Sequence, residues 1–480
     1  MDDKPRGRLL NRCAGARLVA TSAGILVFGW MGTACLHAQA QAPGQVQGQV
    51  QNGDVTVPLP APGFQVRTLS AYGVYYSSSL PTNGGIPQGG SNLPSDFGFG
   101  GSAEIDWTRF TDRSTFSLTY TPSYTGFVRY SSLDALNHAL SLNTTRHLAP
   151  RWNFGFSVTG SLSTFEESLF APTTLATAAS LPSSFQDLAA GLLQGQFANN
   201  PLLGSVLTSA PLAQSPLNTL LYGERMFSAS VQSSLSYSYS PRLSLNFAVG
   251  GSRTQHLSDD QPLTTANGAL NLDATSGRAS IGLSYSLSPL TQISASVASS
   301  RTVSPLYDLY NTTSLLSIGR TFAHRWILQA HGGAGVTNPV RETLGPIPVK
   351  PYPSGGGALT YKTTSNTFLV SYDRTVASSY GLGATTSSSA NATWRFRMPG
   401  RSWWIDTSFG WQQLGESTIL NTTGWRSTTG FNQAVGTHMA FRLEYAYLNY
   451  SGGLQGSPYN LSQSAVRFSV TWYPPANALR

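Results

Sequence analysis

Charged residues that alternate with apolar residues are the candidates for chemistry in this sequence. Glu104 and Asp106 flank Ile105, and Trp107 follows them. Successive side chains of a β-strand point to opposite faces, so this spacing puts both carboxylates on one face and the apolar residues on the other. The same reasoning adds seven further residues to the charged face of a sheet: Arg67, Arg395, Arg397, Asp406, Arg442, Glu444 and Arg467.

These nine residues, here called the charge belt, admit two interpretations. A ring of charges biases which solutes pass through a pore, so the belt can act as a selectivity ring. Arginine also forms multidentate pairs with carboxylates, and acidic and basic members occur close together in the belt. The belt can therefore also be a structural network of ion pairs. We expect pairing to dominate and keep the selectivity ring as the functional alternative.

No arrangement typical of an enzyme active site occurs in the sequence. There is no GxSxG nucleophile elbow, no HExxH zinc motif and no phosphate-binding loop. His331 shares a face with Gln329, but the sequence shows no serine or aspartate partner for it. Asp259-Asp260 is a weak candidate for a Ca²⁺ site or a bridge to lipopolysaccharide, and a solvated loop is the simpler interpretation. We therefore expect no catalysis, no cofactor and no resident metal ion.

The composition excludes several classes of protein. Only 10% of the residues are charged and 11% are aromatic, whereas a soluble domain carries about 25% charged residues. A charge-clad cytosolic enzyme is therefore not expected. The net charge of +8 is dispersed along the chain, so no nucleic-acid partner is expected. Low charge with abundant uncharged polar residues suits a protein with one face in lipid and one in water.

Residues 1–42 have the features of a secretory signal peptide. An arginine-rich start precedes an apolar stretch at 18–36, and the AQA sequence at 38–40 offers a cleavage site. The alternatives are an uncleaved anchor helix and, through Cys35, a lipoprotein. Both cysteines, Cys13 and Cys35, lie in this segment. A cleaved chain would therefore hold neither disulfides nor thiol chemistry.

After a lead-in at 43–63, one pattern repeats: two runs of alternating apolar residues joined by a tight turn, as at Ala149-Pro150-Arg151. Eighteen candidate strands follow from 64–76 to 462–473, with long and short connections in alternation. No later apolar run is long enough for a helical membrane span. The predicted fold is all-β, a transmembrane antiparallel up-and-down β-barrel over 64–473 with about 18 strands. Sixteen strands is the alternative.

Two further features agree with a barrel in a membrane. Aromatic residues group near the tight turns and, in a second set that includes Tyr76, Tyr124 and Trp411, toward the opposite strand ends, as expected for two interfacial girdles. The longest connection, 165–223, contains a stretch from Ser184 with helical amphipathic spacing. We expect a partly helical outer loop, which either constricts or covers the pore or caps the rim.

The final segment, SQSAVRFSVTWY at 462–473, alternates Val466, Phe468, Val470 and Trp472 on one face. It resembles the terminal strand of porin-like outer-membrane β-barrel proteins, with one departure, since a tail at 474–480 follows it. The resemblance extends along 64–473 and concerns architecture.

The resemblance implies the outer membrane as location, with outer-membrane lipids and the barrel assembly machinery as partners. It implies passive transport of small polar solutes or service to an envelope or polysaccharide export system. A structural or ligand-binding barrel with a blocked lumen is the alternative, and a soluble secreted β-protein is a third.

Overall fold

The structure is a computed structural model. It describes residues 63–77, 95–129, 131, 134–164, 225–257, 263–265, 268–270, 273–305, 307–323, 325–342, 351–378, 384–415, 420–454 and 457–475. The predicted signal peptide, nearly all of the lead-in, the loop 165–223 and the end of the tail lie outside these ranges. No helix in the described part of the chain is long and apolar enough to cross a membrane.

The described residues contain twenty strands. They are β1 Gly63–Tyr76, β2 Asp96–Thr111, β3 Ser114–Phe127, β4 Ala135–Ala149, β5 Trp152–Thr164, β6 Arg225–Ser238, β7 Leu243–His256, β8 Leu263–Thr265, β9 Gly268–Leu270, β10 Ala274–Ser288, β11 Thr291–Val303, β12 Tyr307–Phe322, β13 Trp326–Glu342, β14 Pro351–Lys362, β15 Asn366–Ser378, β16 Ala384–Arg397, β17 Trp403–Gly415, β18 Leu420–Val435, β19 Met439–Leu454 and β20 Ser457–Trp472.

Eighteen of these strands close into a single ring. Each pairs antiparallel with the next in the chain, β7 pairs with β10, and β20 returns to pair with β1. The short strands β8 and β9 form a separate hairpin. The prediction of an 18-stranded up-and-down barrel is confirmed and the 16-stranded alternative is wrong. The two weakest candidates, β1 and β14, both join the ring because closure leaves every barrel strand a partner on each side.

The alternating sequence gives the ring two chemically different faces. Outward positions carry exposed apolar side chains such as Leu316 (69%), Val249 (58%) and Val370 (56%). Polar and charged side chains occupy the intervening inward positions, among them Asp106 and Glu444. Because a strand alternates its faces at every residue, the period of two in the sequence is the direct cause of this separation.

The ring has a turn end and a loop end, named for the connections between strands. Connections at the turn end are short, and three of the described ones contain a residue with left-handed backbone: Ala323 (φ 47°), Gly400 (φ 70°) and Gly436 (φ 62°). Glycine adopts this conformation without a steric penalty. At another turn, the Asn366 amide donates to Thr363 Oγ1 at 2.9 Å. These turns fix which residue of one strand lies opposite which residue of the next.

Aromatic side chains line the outer face near the turn end. Trp326 and Tyr361 have ring centroids 4.4 Å apart, and Phe368 stacks on Trp394 at 6.0 Å. The expected placement of Tyr76 in the opposite girdle is wrong. Tyr76 is buried and stacks on Phe127 at 5.8 Å, because a register shift between Val66 and Thr68 changes which residues of β1 face outward.

Candidate functional site

Three members of the charge belt meet on the inner face of β1 and β2. Arg67 Nη1 lies 3.1 Å from Glu104 Oε1, and Arg67 Nε lies 3.0 Å from Asp106 Oδ2. Glu104 and Asp106 are two residues apart on β2 and therefore share a face. The register shift between Val66 and Thr68 places Arg67 beside both of them. One arginine thus holds two carboxylates whose charges would otherwise repel each other.

Further members of the charge belt lie in one row across five strands. In the strand register, Arg395 of β16 lies opposite Asp406 of β17, which lies opposite Gly430 of β18. Gly430 lies opposite Glu444 of β19, which in turn lies opposite Arg467 of β20. Charges of both signs therefore share one row on the inner face of the barrel.

Arg442 connects the carboxylates of this row. Its Nη2 lies 2.9 Å from Asp406 Oδ2 and 2.8 Å from Glu444 Oε1. A side chain at Gly430 would meet the Arg442 guanidinium at 3.0 Å, so the missing side chain lets the arginine reach across β18. Glu444 receives a second partner in Arg467, at 2.7 Å.

Asn432 adds hydrogen bonds to the same group. Its Nδ2 donates to Asp406 Oδ1 at 2.7 Å, and its Oδ1 accepts from Arg442 Nη1 at 3.1 Å. Charges removed from water require partners of this kind. The arrangement agrees with the expected ion-pair network, while a selectivity role for the charge belt stays a prediction.

The remaining belt residues, Arg395 and Arg397, are in neither ion-pair group. Arg395 faces Asp406 in register, but no ion pair within 4.0 Å joins it to a described carboxylate. The two groups lie on opposite sides of the β1–β20 seam. The structure therefore divides the expected belt into two ion-pair groups with Arg395 and Arg397 beside the second.

Sequence reasoning missed one buried pair on the far wall. His331 Nε2 of β13 lies 3.3 Å from Asp373 Oδ2 of β15. Strand β14 separates these two strands, and Gly356 lies opposite both residues in register. The alternation around Tyr372 would have placed Asp373 inward. The sequence alone gave no indication that β13 and β15 would bring the two residues together.

A small apolar cluster closes the turn end beside the seam. Tyr473, directly after β20, is buried with Trp404, Ala434 and Ala440. Its backbone amide donates to the His438 carbonyl at 2.8 Å. Burial raises the pKa of the Tyr473 phenol, and the negative charge of Glu104 adds to that effect. The phenol therefore stays neutral well above its ordinary titration range.

The two faces of the ring decide what kind of protein this is. All barrel strands are paired on both sides, apolar side chains cover the outside, and the inner wall is polar and charged. A closed sheet with an apolar exterior satisfies its backbone within lipid. The chain forms a closed β-barrel of eighteen strands with the two faces of a membrane-spanning barrel. In outer-membrane barrels the short connections face the periplasm and the long ones face outward, which predicts the same orientation for the turn end and the loop end of this ring.

Comparisons with known proteins give similar barrels at low identity. OccK2 (OpdF) of Pseudomonas aeruginosa, solved in complex with glucuronate, is 9% identical with a TM-score of 0.44, covering 86% of this chain and 100% of that one. OccAB4 of Acinetobacter baumannii is 11% identical with a TM-score of 0.40, covering 86% and 98%. A BenF-like porin of Pseudomonas fluorescens Pf-5 is 10% identical with a TM-score of 0.41, covering 85% and 99%.

No protein-family model matches the sequence, and no curated protein matches it either. The assignment of the fold rests on the geometry of the barrel itself. Within the described ranges, no group of His, Asp and Glu side chains is arranged to hold a metal ion.

Proposed function

We propose that this barrel is a passive channel for small polar solutes. The supporting observation is the closed ring of eighteen strands with a polar, charged inner wall. Barrels of 16 to 18 strands are wide enough to enclose an aqueous channel. A wall of hydroxyls, amides and ion pairs lets a solute exchange its hydration shell for protein groups as it passes.

The charges on the inner wall favour anions modestly. Arg278, Arg395, Arg397 and Arg426 face the lumen in addition to the arginines of the two ion-pair groups, so arginines outnumber carboxylates among the described inward residues. The ion pairs neutralise much of this charge. The remaining field should bias permeation without excluding cations.

The role proposed here is transport, with no catalytic step. The alternatives within a barrel are service to an envelope or polysaccharide export system and a structural barrel with a blocked lumen. The loop 165–223, to which the sequence assigns a constricting, covering or capping role, lies outside the described residues. Conductance separates an open channel from a blocked barrel, because only an open channel carries a steady ion current.

The test is reconstitution of the purified, folded protein into planar bilayers and liposomes. We expect stepwise conductance that increases with KCl concentration, together with swelling of liposomes in solutions of small sugars. Folded protein without conductance would favour the structural barrel. Conductance combined with passage of long oligosaccharides as fast as monosaccharides would favour the export role.

A further inference from the structure

Arginines on the outer surface concentrate at the loop end of one side of the barrel. Arg253 of β7 follows the outward residues Phe247 and Val249 at even spacing, and Arg301 of β11 follows Ile293 and Val297 in the same way. Both arginines therefore face outward, and both are exposed. Each lies about ten residues above the turn end of its strand, which is near the upper limit of an apolar band roughly 25 Å tall.

The two arginines flank a gap on strand β10. Arg253 lies opposite Thr275, and Arg301 lies opposite Gly277, two positions further along the same outward face. Their Cα atoms are thus roughly 12 Å apart, given a strand spacing of about 4.8 Å. A Cβ placed on Gly277 would have no atom within 4 Å. The outer surface at Gly277, between the two arginines, is therefore open, and it is here called the arginine saddle.

Neighbouring groups hold one side of the arginine saddle in place. Arg301 donates from Nε and Nη2 to Asp308 at 3.0 and 2.7 Å, and its guanidinium lies 5.2 Å from the centre of the Tyr310 ring. These contacts hold the Arg301 guanidinium in one position on the outer surface. Arg341 lies opposite Asp308 in register and donates from Nη2 to the Ser304 carbonyl at 2.8 Å. A side chain fixed in advance loses less entropy when it binds an anion.

Among the side chains that the structure describes here, arginines outnumber carboxylates. Asp308 is shared between Arg301 and Arg341, and Asp273 begins the loop end of β10. Four exposed arginines lie near these two carboxylates, on β6, β7, β11 and β13: Arg225, Arg253, Arg301 and Arg341. A positive excess at this depth attracts anionic lipid head groups.

An apolar surface continues below the arginine saddle toward the turn end. Val249, Ile281 and Val297 are exposed on β7, β10 and β11 at 58, 48 and 44%. Further down, the same side of the barrel has a groove whose outward walls include Leu283, Ile293 and Leu316. A basic site above a continuous apolar track matches a lipid with an anionic head and long acyl chains.

The opposite side of the barrel differs at the same height. Its outward positions near the loop end hold aromatic rings, including Tyr75 (52%), Phe99 (49%) and Tyr124 (41%). Trp425 continues this set and packs on Tyr447 with centroids 4.8 Å apart. Aromatic rings are general anchors at the membrane interface. An exposed arginine, Arg129, also follows β3 on this side, so what sets the arginine saddle apart is the placement of Arg253 and Arg301 on both sides of Gly277.

We propose that the arginine saddle binds the phosphate of a phosphorylated glycolipid in the outer leaflet, with its acyl chains along β7, β10 and β11. Arg253 and Arg301 hold the phosphate oxygens from both sides of Gly277, and Arg341 adds positive charge above them. Arginine suits this role because its planar fork donates several hydrogen bonds to a phosphate. The site lies on the outside of the barrel and is independent of permeation through the lumen.

The test is a titration of the folded full-length protein in detergent micelles with lipid A that carries two phosphates, followed by native mass spectrometry. We expect the double variant Arg253→Gln, Arg301→Gln to bind at least tenfold more weakly than the unaltered protein. Gly277→Trp keeps every charge but fills the saddle, and it should weaken binding to a similar extent. Dephosphorylated lipid A should bind the unaltered protein at least tenfold more weakly than the phosphorylated form.

Arg320→Gln is the matched control. Arg320 also faces outward, 4.9 Å from the centre of the Phe322 ring, but it lies at the turn end. This variant should bind the lipid as the unaltered protein does. Equal lipid binding by the double variant and the control would overturn the proposal. So would equal binding of dephosphorylated lipid, or displacement of the lipid by inorganic phosphate at the same concentration, since either result removes the need for a phosphorylated lipid.

Discussion

Glu444 and Arg467 stand directly opposite each other on β19 and β20, with Arg467 Nη2 2.7 Å from Glu444 Oε2. Arg442 reaches the other oxygen of the same carboxylate at 2.8 Å. The Glu444 side chain is only 2% exposed. This one buried carboxylate compensates two arginines, and it lies next to β20, the strand that closes the ring. Removal of the Glu444 carboxylate should therefore destabilise the whole barrel and not only the β19–β20 hairpin.

Glu444→Gln should destabilise the barrel by about 3 kcal/mol, because it removes the buried carboxylate that Arg442 and Arg467 share and leaves Asp406 as the only described carboxylate in contact with Arg442. Urea unfolding of the protein in detergent micelles, followed by the mobility shift between folded and unfolded forms on a gel, measures this loss. Asp112→Asn is the control, since it removes a carboxylate from an exposed turn. Equal unfolding midpoints for the two variants would show that the network contributes little to stability.

Arg395→Gln combined with Arg397→Gln should lower the anion-to-cation permeability ratio by about twofold in 0.1 M KCl. The effect should shrink in 1 M KCl, because the Debye length falls from about 10 Å to about 3 Å. Reversal potentials across planar bilayers under a salt gradient give the ratio. Arg320→Gln, which removes an arginine from the outer face, should leave it unchanged. An unaltered ratio in the double variant with normal conductance would leave the charge belt a purely structural network.

The sequence predicted the strands well because each strand carries its own signal. Alternation and tight turns are local, so all eighteen barrel strands and the inward side of Glu104 and Asp106 follow from them. Tyr76 was misplaced because the register shift at Arg67 is a property of two paired strands. No periodicity in β1 alone reveals it.

The sequence also could not predict which inward residues would contact each other. The Arg442 side chain reaches Asp406 across β18, which is possible because Gly430 on that strand has no side chain. The meeting of His331 with Asp373 depends in the same way on Gly356 of β14. Both contacts result from the stagger between three strands, whereas alternation within one strand gives only the face on which a residue lies.

Tyr473→Ala should destabilise the barrel by about 3 kcal/mol, because it leaves a cavity among Trp404, Ala434 and Ala440 at the closing strand. Tyr473→Phe keeps the ring and should change the free energy of unfolding by less than about 1 kcal/mol. Urea midpoints of the two variants provide the measurement. A large loss in the phenylalanine variant would show that the hydroxyl, rather than the packed ring, is what the turn end requires.

Gly332 and Gly333 are adjacent on β13 but differ in the space around them. A Cβ on Gly333 would collide with the Ser314 carbonyl oxygen of β12, whereas a Cβ on Gly332 would have nothing within 4 Å. Gly333→Ala must therefore push β12 and β13 apart, and we expect it to destabilise the barrel by about 1–3 kcal/mol.

Gly332→Ala faces outward into open space, and it should leave the free energy of unfolding within about 0.5 kcal/mol of the original. The two variants have identical composition, so a difference between their urea midpoints reports the local contact alone. Equal midpoints would mean that β12 and β13 separate easily at this position. The close approach of the two strands would then contribute nothing to the register that brings His331 and Asp373 together.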